Sequence, residues 1–380
     1  MTMTRICEVI KTLDVGGAEV LLVERLRRAP RSARDYTVVF LQAEMEELVD
    51  ALRDCGVTLV DLRSCPRRLR YLGLLRAVRR LAPDVVNVHS PLPAAVLRPA
   101  LHLMRPRPAL ISTVHYVRCH PLTRLLERPT RRLDDLTVAV SPQVAASGSV
   151  RGARQVRTRI HGVDVAAQRG WAQRADQVRE EFGIPAEAFM LAFVANFRPV
   201  KNHALLVEAA ALVLERRPDA LFVLAGDGPL RDQVLAAIRR RGLQDRMPYL
   251  GRIQQAGRLV AAADTLVLAS HYEAMPVVVM EALASAVPVV ATRVGGIPDL
   301  IRDGDNGILV QPGSPQRLAE GILRAMRPEV HSALAARALA DTTSVDVAST
   351  AAWFDDVYAA LASGVRESRR DTVPGGAQVR

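Results

Sequence analysis

The chain has 380 residues, more than one ordinary domain needs, which predicts two domains. Its composition is 49% hydrophobic and 24% charged, and no apolar run approaches the roughly 20 residues of a membrane span, which argues against an integral membrane protein. The formal charge of +11 is uneven, because residues 1–170 hold 28 basic and 16 acidic side chains and the remainder 23 and 24. The first half is therefore expected either to meet an anionic surface or to carry its arginines on solvated faces.

The cysteines are far apart and form no Cys-x-x-Cys pair: Cys7, Cys55, Cys65 and Cys119. This usage fits a reduced, cytoplasmic setting and has no metal-ligand spacing. Glu8 and Lys11 interrupt the N-terminal apolar patch. That patch therefore predicts a first β-strand and not a secretory leader.

Short β-branched runs alternate with longer amphipathic stretches in both halves of the chain. Such runs, with little polar alternation, are typical of parallel strands covered on both faces. The predicted strands are 5–10, 36–41, 57–62, 84–89, 109–114 and 136–140 in the first half, and 189–197, 220–226, 265–270, 288–294 and 307–311 in the second. They predict an α/β fold of two Rossmann-like, doubly wound parallel-sheet domains.

The domain limits follow from this pattern. We predict an N-terminal domain over 1–165, a linker region over 166–185, a C-terminal domain over 186–350, a helix over 351–364 and a disordered tail over 365–380. The helix over 351–364 carries three aromatic residues, which predicts that it docks, and we expect it to cross back to the N-terminal domain.

The segment "SHYEAMPVVVMEALASAVPVV" (270–290) sets Glu273 and Glu281 eight residues apart in apolar surroundings. Pro276 suits the first turn of a helix, which places Glu281 about 7–8 Å further along its axis. Backbone N–H groups at such a helix start bind anions, and a carboxylate on each side would hold hydroxyls. The donor-binding stretch predicted here is Ala274, Met275, Pro276 and Val277. The plain alternative is that Glu273 caps the helix and Glu281 is a surface residue.

Two further loops follow predicted strands of the second half. "FVANFRPVKNHALL" carries Arg198 and Lys201 beside a helix start, where two cations suit a diphosphate, although a solvated turn would look the same. "LAGDGPL" carries Gly226 and Gly228, which allow a ligand to approach the backbone closely. A Gly-x-Gly alone is weak evidence.

The order of "FRPVK", "LAGDGP", "YLGRI" and the Glu273-to-Glu281 segment with "PVVATRVGGIPDLI" resembles the nucleotide-sugar domain of family 4 retaining glycosyltransferases of GT-B architecture. The resemblance covers roughly residues 5–360 and implies two domains facing a cleft, with the donor on the second and the acceptor on the first. It implies that Glu273 contacts the donor sugar and Glu281 the ribose. It also implies that Arg198 and Lys201 neutralise the diphosphate.

The same resemblance places Arg252 and Ile253 near the base and Asn196 among the donor-binding residues. Some positions depart from the family pattern. Ala274 and Ala286 stand where glycine is usual, Asn196 stands where many members carry arginine, and His161 replaces asparagine in "HGVD". "DGD" at 303–305 lies in the family's ordinary loop, so no metal and no cofactor are predicted beyond the nucleoside diphosphate sugar.

The first half offers two candidate positions. Gly16 and Gly17 in "LDVGGAEVL" open a helix after the first strand, and family members carry a similar loop near the donor phosphates. His115 ends the strand "ISTV", where a local hydrogen bond is the plain explanation. The resemblance instead implies a histidine beside the transferred sugar.

The stretch "PRRLRYLGLLRAVRRLAP" (66–83) combines leucines with arginines. It predicts either a helix lying on an anionic bilayer or a packed helix with a basic outer face. No nucleic-acid motif is visible.

The expected activity is transfer of a sugar from a nucleoside diphosphate sugar to an acceptor hydroxyl, at a cytoplasmic location with peripheral contact to the inner membrane face. The catalytic residues predicted are His115, Glu273, Arg198 and Lys201. A nucleotide-sugar epimerase of related fold and a non-catalytic sugar-nucleotide binder are the alternatives. The base, the sugar and the acceptor are not predicted.

Overall fold

The computed structural model describes residues 3–14, 16–117, 120–340 and 342–371, with side chains described up to residue 365. Within this part of the chain, the residues up to His161 and those from Val347 onward form one unit, and Gly162–Asp346 forms a second. Each unit is built on its own parallel sheet. The predicted α/β fold with two parallel-sheet domains is confirmed.

The strands of the first unit are β1 (Thr4–Thr12), β2 (Arg34–Gln42), β3 (Thr58–Asp61), β4 (Val85–Val88), β5 (Ala109–Val114), β6 (Leu136–Ala139) and β7 (Val156–Thr158). They form one sheet in the order β3-β2-β1-β4-β5-β6-β7. The chain reverses its direction of travel across the sheet between β1 and β4, and ligands of doubly wound folds bind outside the carboxyl ends of strands at such a point.

The helices of the first unit up to residue 161 are α1 (Gly17–Arg28), α2 (Glu47–Asp54), α3 (Arg70–Leu81), α4 (Pro91–His102), α5 (Pro121–Glu127) and α6 (Pro142–Ala145). They cover both faces of the sheet. Ile6 and Ile10 of β1 belong to one apolar cluster, and Cys7 and Val9 belong to another, as alternation along a strand requires. Glu8 shares the face of Ile6 and Ile10, so its carboxylate lies inside the core.

The second unit has five strands, β8 (Phe189–Val194), β9 (Ala220–Ala225), β10 (Thr265–Leu268), β11 (Val289–Thr292) and β12 (Gly307–Val310). They form a parallel sheet in the order β12-β11-β10-β8-β9. Its helices are α7 (Val165–Ala172), α8 (Ala175–Glu181), α9 (His203–Leu214), α10 (Arg231–Arg240), α11 (Gly257–Ala261), α12 (Val277–Ala284), α13 (Pro315–Ala325) and α14 (Pro328–Ala340).

The predicted linker over 166–185 differs from the structure. Most of α7 and all of α8 lie in it, and both belong to the second unit, which begins at Gly162. Val178 is buried, and Arg179 donates to the Asp264 carboxylate at 2.8 Å. The absence of a strand pattern therefore reflected two short packed helices and not a free connection. Strand β7 was not predicted because all three of its residues are exposed and carry no apolar pattern.

The last helix, α15 (Val347–Asp371), is longer than the predicted 351–364. Phe354, Val357 and Tyr358 are buried in the core of the first unit, on the face of β1 that also holds Ile6. The backbone is helical over 365–371, so the prediction of disorder is wrong there. Residues 372–380 of the predicted tail lie outside the described part of the chain.

In the described ranges, no helix has both the length and the apolar character needed to cross a bilayer. Cys7, Cys55 and Cys65 are free thiols, and Cys119 lies outside the described residues. Among the side chains that the structure describes, no group of His, Cys, Asp and Glu is arranged to hold a metal ion.

Candidate active site

Neighbouring strand ends bring two predicted site residues together in the second unit. Strand β8 leads into a short 3-10 turn, Pro199–Lys201, and the adjacent β10 leads into the loop that carries Glu273. Lys201 Nζ lies 2.6 Å from Glu273 Oε1. The Lys201 side chain is 23% exposed and that of Glu273 9% exposed. The pair thus lies at the carboxyl edge of the sheet, with its cation open to solvent.

Ser270, to which no sequence motif pointed, holds the carboxylate of Glu273 in place. Its hydroxyl donates to Glu273 Oε1 at 2.7 Å, and its carbonyl accepts from the Thr292 hydroxyl at 2.7 Å. The His271 N–H donates to the Val200 carbonyl at 2.8 Å. Both contacts to Glu273 use Oε1, and no described residue donates to Oε2. One carboxylate oxygen therefore remains available for a ligand.

Two glycines allow the close backbone contacts of this edge. Gly295 has φ +60°, and a Cβ there would lie 1.7 Å from the Glu273 carbonyl oxygen. Gly226 has φ +129°, and a Cβ there would lie 2.1 Å from the Ala195 carbonyl oxygen. Any side chain would displace the loop that carries Glu273 or the end of β8.

Helix α12 begins one residue later than predicted. Pro276 is its N-cap, with φ −76° and ψ 116°, and Val277 is the first helical residue. Proline has no N–H to lose, so the first unpaired N–H groups of the helix belong to the residues that follow it. Met275 and Pro276 are buried, while Ala274 and Val277 are half-buried.

Glu281 is the fifth residue of α12 and half-buried, with protein groups around its carboxylate. A Cβ on Gly257 would lie 2.8 Å from Glu281 Oε1 and 2.3 Å from Gln168 Nε2. Gln168 accepts a hydrogen bond from the Ser285 hydroxyl at 3.2 Å. Glu281 therefore lies against the start of α11. The structure does not place it in the Lys201–Glu273 pair.

The remaining predicted donor-binding residues of this unit lie on loops around the strand ends. Arg198, Asn196 and Arg252 are exposed, and Ile253 is half-buried. The Arg198 N–H donates to the Asn196 carbonyl at 2.7 Å, in the turn before Pro199. These side chains are accessible, but the structure does not join them to Lys201.

His203, another residue to which no sequence motif pointed, lies close enough to Lys201 for the ammonium charge to affect its pKa. It begins α9, is buried, and stacks on Phe197 with ring centroids 4.1 Å apart. Burial, and then the nearby Lys201 ammonium, lower the pKa of His203 to about 4. This ring is therefore neutral at pH 7 and packs as an apolar group below the cation.

In the first unit, Gly16 is the N-cap of α1 and Gly17 its first residue. Gly16 has no side chain to clash with Glu19, whose Oε2 would lie 2.5 Å from an added Cβ. His115 directly follows β5 and is half-buried. Its Nε2 lies 3.0 Å from Nδ1 of His89, a contact that the sequence did not reveal.

The carboxylates of "DGD" are engaged with arginines. Asp303 pairs with Arg293 at 3.0 Å, and Asp305 pairs with Arg302 at 2.8 Å and with Arg337 at 2.9 Å. These ion pairs are exposed on the surface of the second unit.

Two protein families match the sequence, one for each unit. The family described as Glycosyltransferase Family 4 matches residues 15–167, and that described as Glycosyl transferases group 1 matches residues 175–338. Both are families of glycosyltransferases, and each match covers less than half of the 380 residues. These matches confirm the resemblance inferred from the motifs, which is to glycosyltransferases, enzymes of the transferase class.

Two relatives are similar to the chain over part of its length. N-acetyl-alpha-D-glucosaminyl L-malate synthase of Bacillus anthracis is 29% identical over 255 residues, which cover 65% of the chain and 66% of that protein. Alpha-D-kanosaminyltransferase of Streptomyces kanamyceticus is 33% identical over 170 residues, 44% of each chain. The chain thus spans just under two thirds of the first relative and less than half of the second.

The fold is shared with solved structures. The Anabaena HepE structure in complex with UDP and glucose matches with a TM-score of 0.82 at 22% identity, covering 94% of this chain and 100% of HepE. A sucrose-phosphate synthase from Thermosynechococcus elongatus matches with a TM-score of 0.78 at 17% identity. These likenesses show the GT-B fold.

Proposed function

We propose that this chain is a retaining glycosyltransferase that moves a sugar from a nucleoside diphosphate sugar to an acceptor hydroxyl. The observation that carries the proposal is the Lys201–Glu273 pair at the carboxyl ends of β8 and β10. An accessible ammonium beside a carboxylate with a spare oxygen matches the two needs of such a donor, a charged diphosphate and a polyhydroxylated sugar. The matches to two glycosyltransferase families support the same class of reaction.

In this proposal Lys201 and the N–H groups at the start of α12 bind the diphosphate, with Arg198 as a second cation. Glu273 accepts hydrogen bonds from sugar hydroxyls through Oε2, and Glu281 from the ribose. Asn196, Gly226, Arg252 and Ile253 line the nucleotide side. HepE binds UDP and glucose in its crystal, so UDP-sugars come first among the donors to test.

The proposed reaction needs no protein nucleophile. The bond between the anomeric carbon and the diphosphate oxygen breaks, and the acceptor oxygen bonds to the same face of that carbon. The acceptor proton moves to the departing phosphate oxygen, so the products are a glycoside and a nucleoside diphosphate. Lys201 and the helix N–H groups stabilise the charge that develops on the diphosphate. In this scheme the first unit supplies the acceptor side, with the Gly16–Gly17 loop for phosphate oxygens of the donor and His115 for a hydroxyl of the transferred sugar.

The assay incubates the full chain with UDP-, GDP-, ADP- and dTDP-sugars, with and without a set of lipid-linked, small-metabolite and aglycone acceptors. Acceptor-dependent release of nucleoside diphosphate supports transfer, and the anomeric configuration of the product, read by NMR, tests retention. Conversion of the donor to another nucleotide sugar without an acceptor would indicate an epimerase. Binding without any turnover or hydrolysis would indicate a non-catalytic binder.

We also propose peripheral contact of the first unit with an anionic membrane. In α3 the apolar face is packed inward, with Leu74 and Val78 buried, which supports the packed-helix alternative for most of 66–83. The larger exposed apolar face is on α5, where Leu122, Leu125 and Leu126 are 61%, 70% and 51% exposed. Exposed arginines at 124, 128 and 132 surround them, and the one acidic residue of the segment, Glu127, is buried. Leucines rimmed by arginines suit an anionic bilayer surface.

Cosedimentation with phosphatidylserine-containing and pure phosphatidylcholine vesicles tests this contact. Binding to the anionic vesicles at low salt should be lost in Leu125→Glu. It should persist in Leu339→Glu, which changes a 44%-exposed leucine of the second unit. Equal partitioning of wild type and Leu125→Glu would contradict the proposal.

A further inference from the structure

A carboxylate lies in the middle of the first unit's core. Glu8 and Arg25 are both fully buried, and Arg25 Nη2 donates to Glu8 Oε1 at 2.7 Å. A lone buried carboxylate is costly, so each of its oxygens needs donors. The Tyr358 hydroxyl supplies a second one to Oε1 at 2.7 Å. Helix α1 and helix α15 thus hold one oxygen of the same carboxylate.

The direction of each hydrogen bond at Tyr358 is fixed by its neighbours. Its hydroxyl oxygen accepts from Arg25 Nη1 at 3.1 Å and from Asn87 Nδ2 at 2.9 Å. The Asn87 side-chain oxygen accepts from the Thr113 hydroxyl at 2.8 Å, which leaves its amide nitrogen to donate to Tyr358. Since neither Arg25 nor the Asn87 amide nitrogen accepts, the single Tyr358 proton is directed to Glu8. Arg25 and Tyr358 therefore both donate to Glu8 Oε1.

The second oxygen of Glu8 faces the histidine pair. Glu8 Oε2 lies 2.8 Å from His89 Nε2. Arg25 and the His89 hydrogen bond outweigh burial and lower the pKa of Glu8 to about 2, so at neutral pH it only accepts. His89 must therefore carry its proton on Nε2. Burial lowers the pKa of His89, which leaves its Nδ1 as a lone pair.

The tautomer of His89 determines that of His115 in the same way. His89 Nδ1 lies 3.0 Å from His115 Nε2, so the proton between the two rings must sit on His115. Burial, followed by the charge of the neighbouring groups, holds the pKa of His115 well below its usual range. A neutral ring protonated at Nε2 keeps a lone pair on Nδ1. No described residue hydrogen-bonds to that atom.

We infer that Glu8 and His89 are positioning residues that fix His115 as the Nε2–H tautomer, so that its Nδ1 accepts a hydrogen bond from a hydroxyl of the sugar substrate. This rests on the proposed function for the substrate, whereas the order of hydrogen bonds rests on the first unit alone. His161 closes the cluster as a packing group. Its ring lies 5.3 Å from that of His115 and 5.5 Å from that of Phe354, and neither nitrogen has a partner in the described part of the chain.

The decisive variant is Glu8→Gln. Its amide oxygen would stay toward Arg25 and Tyr358, because both donate there, and its NH₂ would face His89. The His89 proton then moves to Nδ1, which donates to His115 Nε2, and the His115 proton moves to Nδ1. The variant keeps the shape of the side chain but inverts both tautomers.

The test reads the tautomers directly with long-range ¹H–¹⁵N NMR spectra of the histidine rings in the full chain. His115→Asn assigns the His115 signals. We expect the wild-type proton on Nε2, and we expect it on Nδ1 in Glu8→Gln, with kcat/KM for transfer reduced about tenfold by the loss of one correctly directed hydrogen bond. Tyr358→Phe removes a donor to Oε1 but leaves Oε2 facing His89. It should lower the Tm and leave both the tautomer and kcat unchanged.

A proton on His115 Nδ1 in the wild type would overturn the inference, and this outcome does not depend on the folding of Glu8→Gln. An unchanged tautomer with unchanged transfer in Glu8→Gln would overturn it as well. If the tautomers are as expected but no donor and acceptor give transfer, the hydrogen-bond order from Glu8 through His89 to His115 is supported and the proposed function fails. If transfer occurs but the tautomers differ from those expected, the proposed function is supported and the hydrogen-bond order fails.

Discussion

Each unit holds a glutamate beside a cation, but the two pairs are built differently. Glu8 of the first unit is completely buried, and both of its oxygens are taken by Arg25, Tyr358 and His89. Glu273 of the second unit has both of its hydrogen bonds on Oε1, and its partner Lys201 is 23% exposed. The first carboxylate has no capacity left for a ligand, whereas the second has.

The two ion pairs therefore have different uses. A saturated, buried ion pair can only act through the groups that it orients, here His89 and then His115. An unsaturated pair at the carboxyl edge of a parallel sheet can exchange its internal contact for a ligand. The comparison therefore predicts large effects on stability from the first pair and large effects on catalysis from the second.

The largest effect is expected from Arg25→Met. It leaves Glu8 as an uncompensated buried charge, which costs about 3–5 kcal/mol in the free energy of unfolding. Urea denaturation measures this directly. The matched control is Arg27→Met on the same helix, whose partner Glu24 forms an exposed pair, and it should change stability by less than about 1 kcal/mol. Similar losses in the two variants would remove the distinction between the pairs.

Lys201→Ala should affect turnover instead of folding. Removal of one group that stabilises transition-state charge lowers the rate by about 10²–10³. We expect this loss in kcat, with a Tm close to that of the wild type, because the ammonium is partly solvated. Arg241→Ala removes a cation from an exposed pair with Glu208 in the same unit and should leave kcat intact. A Lys201→Ala enzyme of normal turnover would mean that the site is misplaced.

The first unit should be sensitive to acid. Burial lowers the pKa of His89, His115 and His161, so between their unfolded pKa near 6.5 and their native values the unfolded chain binds more protons. Stability should therefore fall as the pH drops below about 6.5, by up to about 1.4 kcal/mol per pH unit for each ring. Glu8, with its pKa of about 2, adds a further loss below about pH 4.5.

Unfolding free energies measured at pH 7.5 and 5.5 check this slope. His161→Phe removes one of the three rings and should make the slope shallower by the share of one histidine. A wild-type free energy that does not change between the two pH values would show that the native rings bind as many protons as the unfolded ones, so that burial does not lower their pKa.

The smallest expected effect is a gain. Ala286 follows α12 with φ +59°, a left-handed conformation that costs an alanine about 1–2 kcal/mol relative to glycine. Ala286→Gly should raise the free energy of unfolding by about 1 kcal/mol. Ala284→Gly, inside the helix, should instead lower it by about 1 kcal/mol. A lower free energy of unfolding in both variants would contradict the cost assigned to the left-handed conformation of Ala286. It would not bear on the proposed donor site.

The strands could be predicted from the sequence because buried parallel strands are continuous apolar runs. All eleven predicted strands are present, and the one that was missed, β7, has only exposed residues. The segment 166–185 was misassigned because two helices of seven and eight residues are too short to give a clear apolar period.

The site was partly visible in the sequence. Glu273 and Lys201 could be paired because both follow parallel strands, and such ends share an edge. The hydrogen bonds from His89 to Glu8 and from His115 to His89 could not be predicted. They join a residue of β1 to residues that directly follow β4 and β5, and these strands are neighbours only because of the strand order. The one signal that the sequence offers is Glu8, a charged residue inside the predicted first strand.

Isothermal titration calorimetry with UDP-, GDP-, ADP- and dTDP-sugars tests the account most directly, on the wild type and on Lys201→Ala. We predict a saturable heat with at least one of these donors in the wild type, and a markedly weaker affinity for the same donor in Lys201→Ala. No heat with any donor, or equal affinity in the two proteins, would contradict the assignment of the Lys201–Glu273 edge as the donor site.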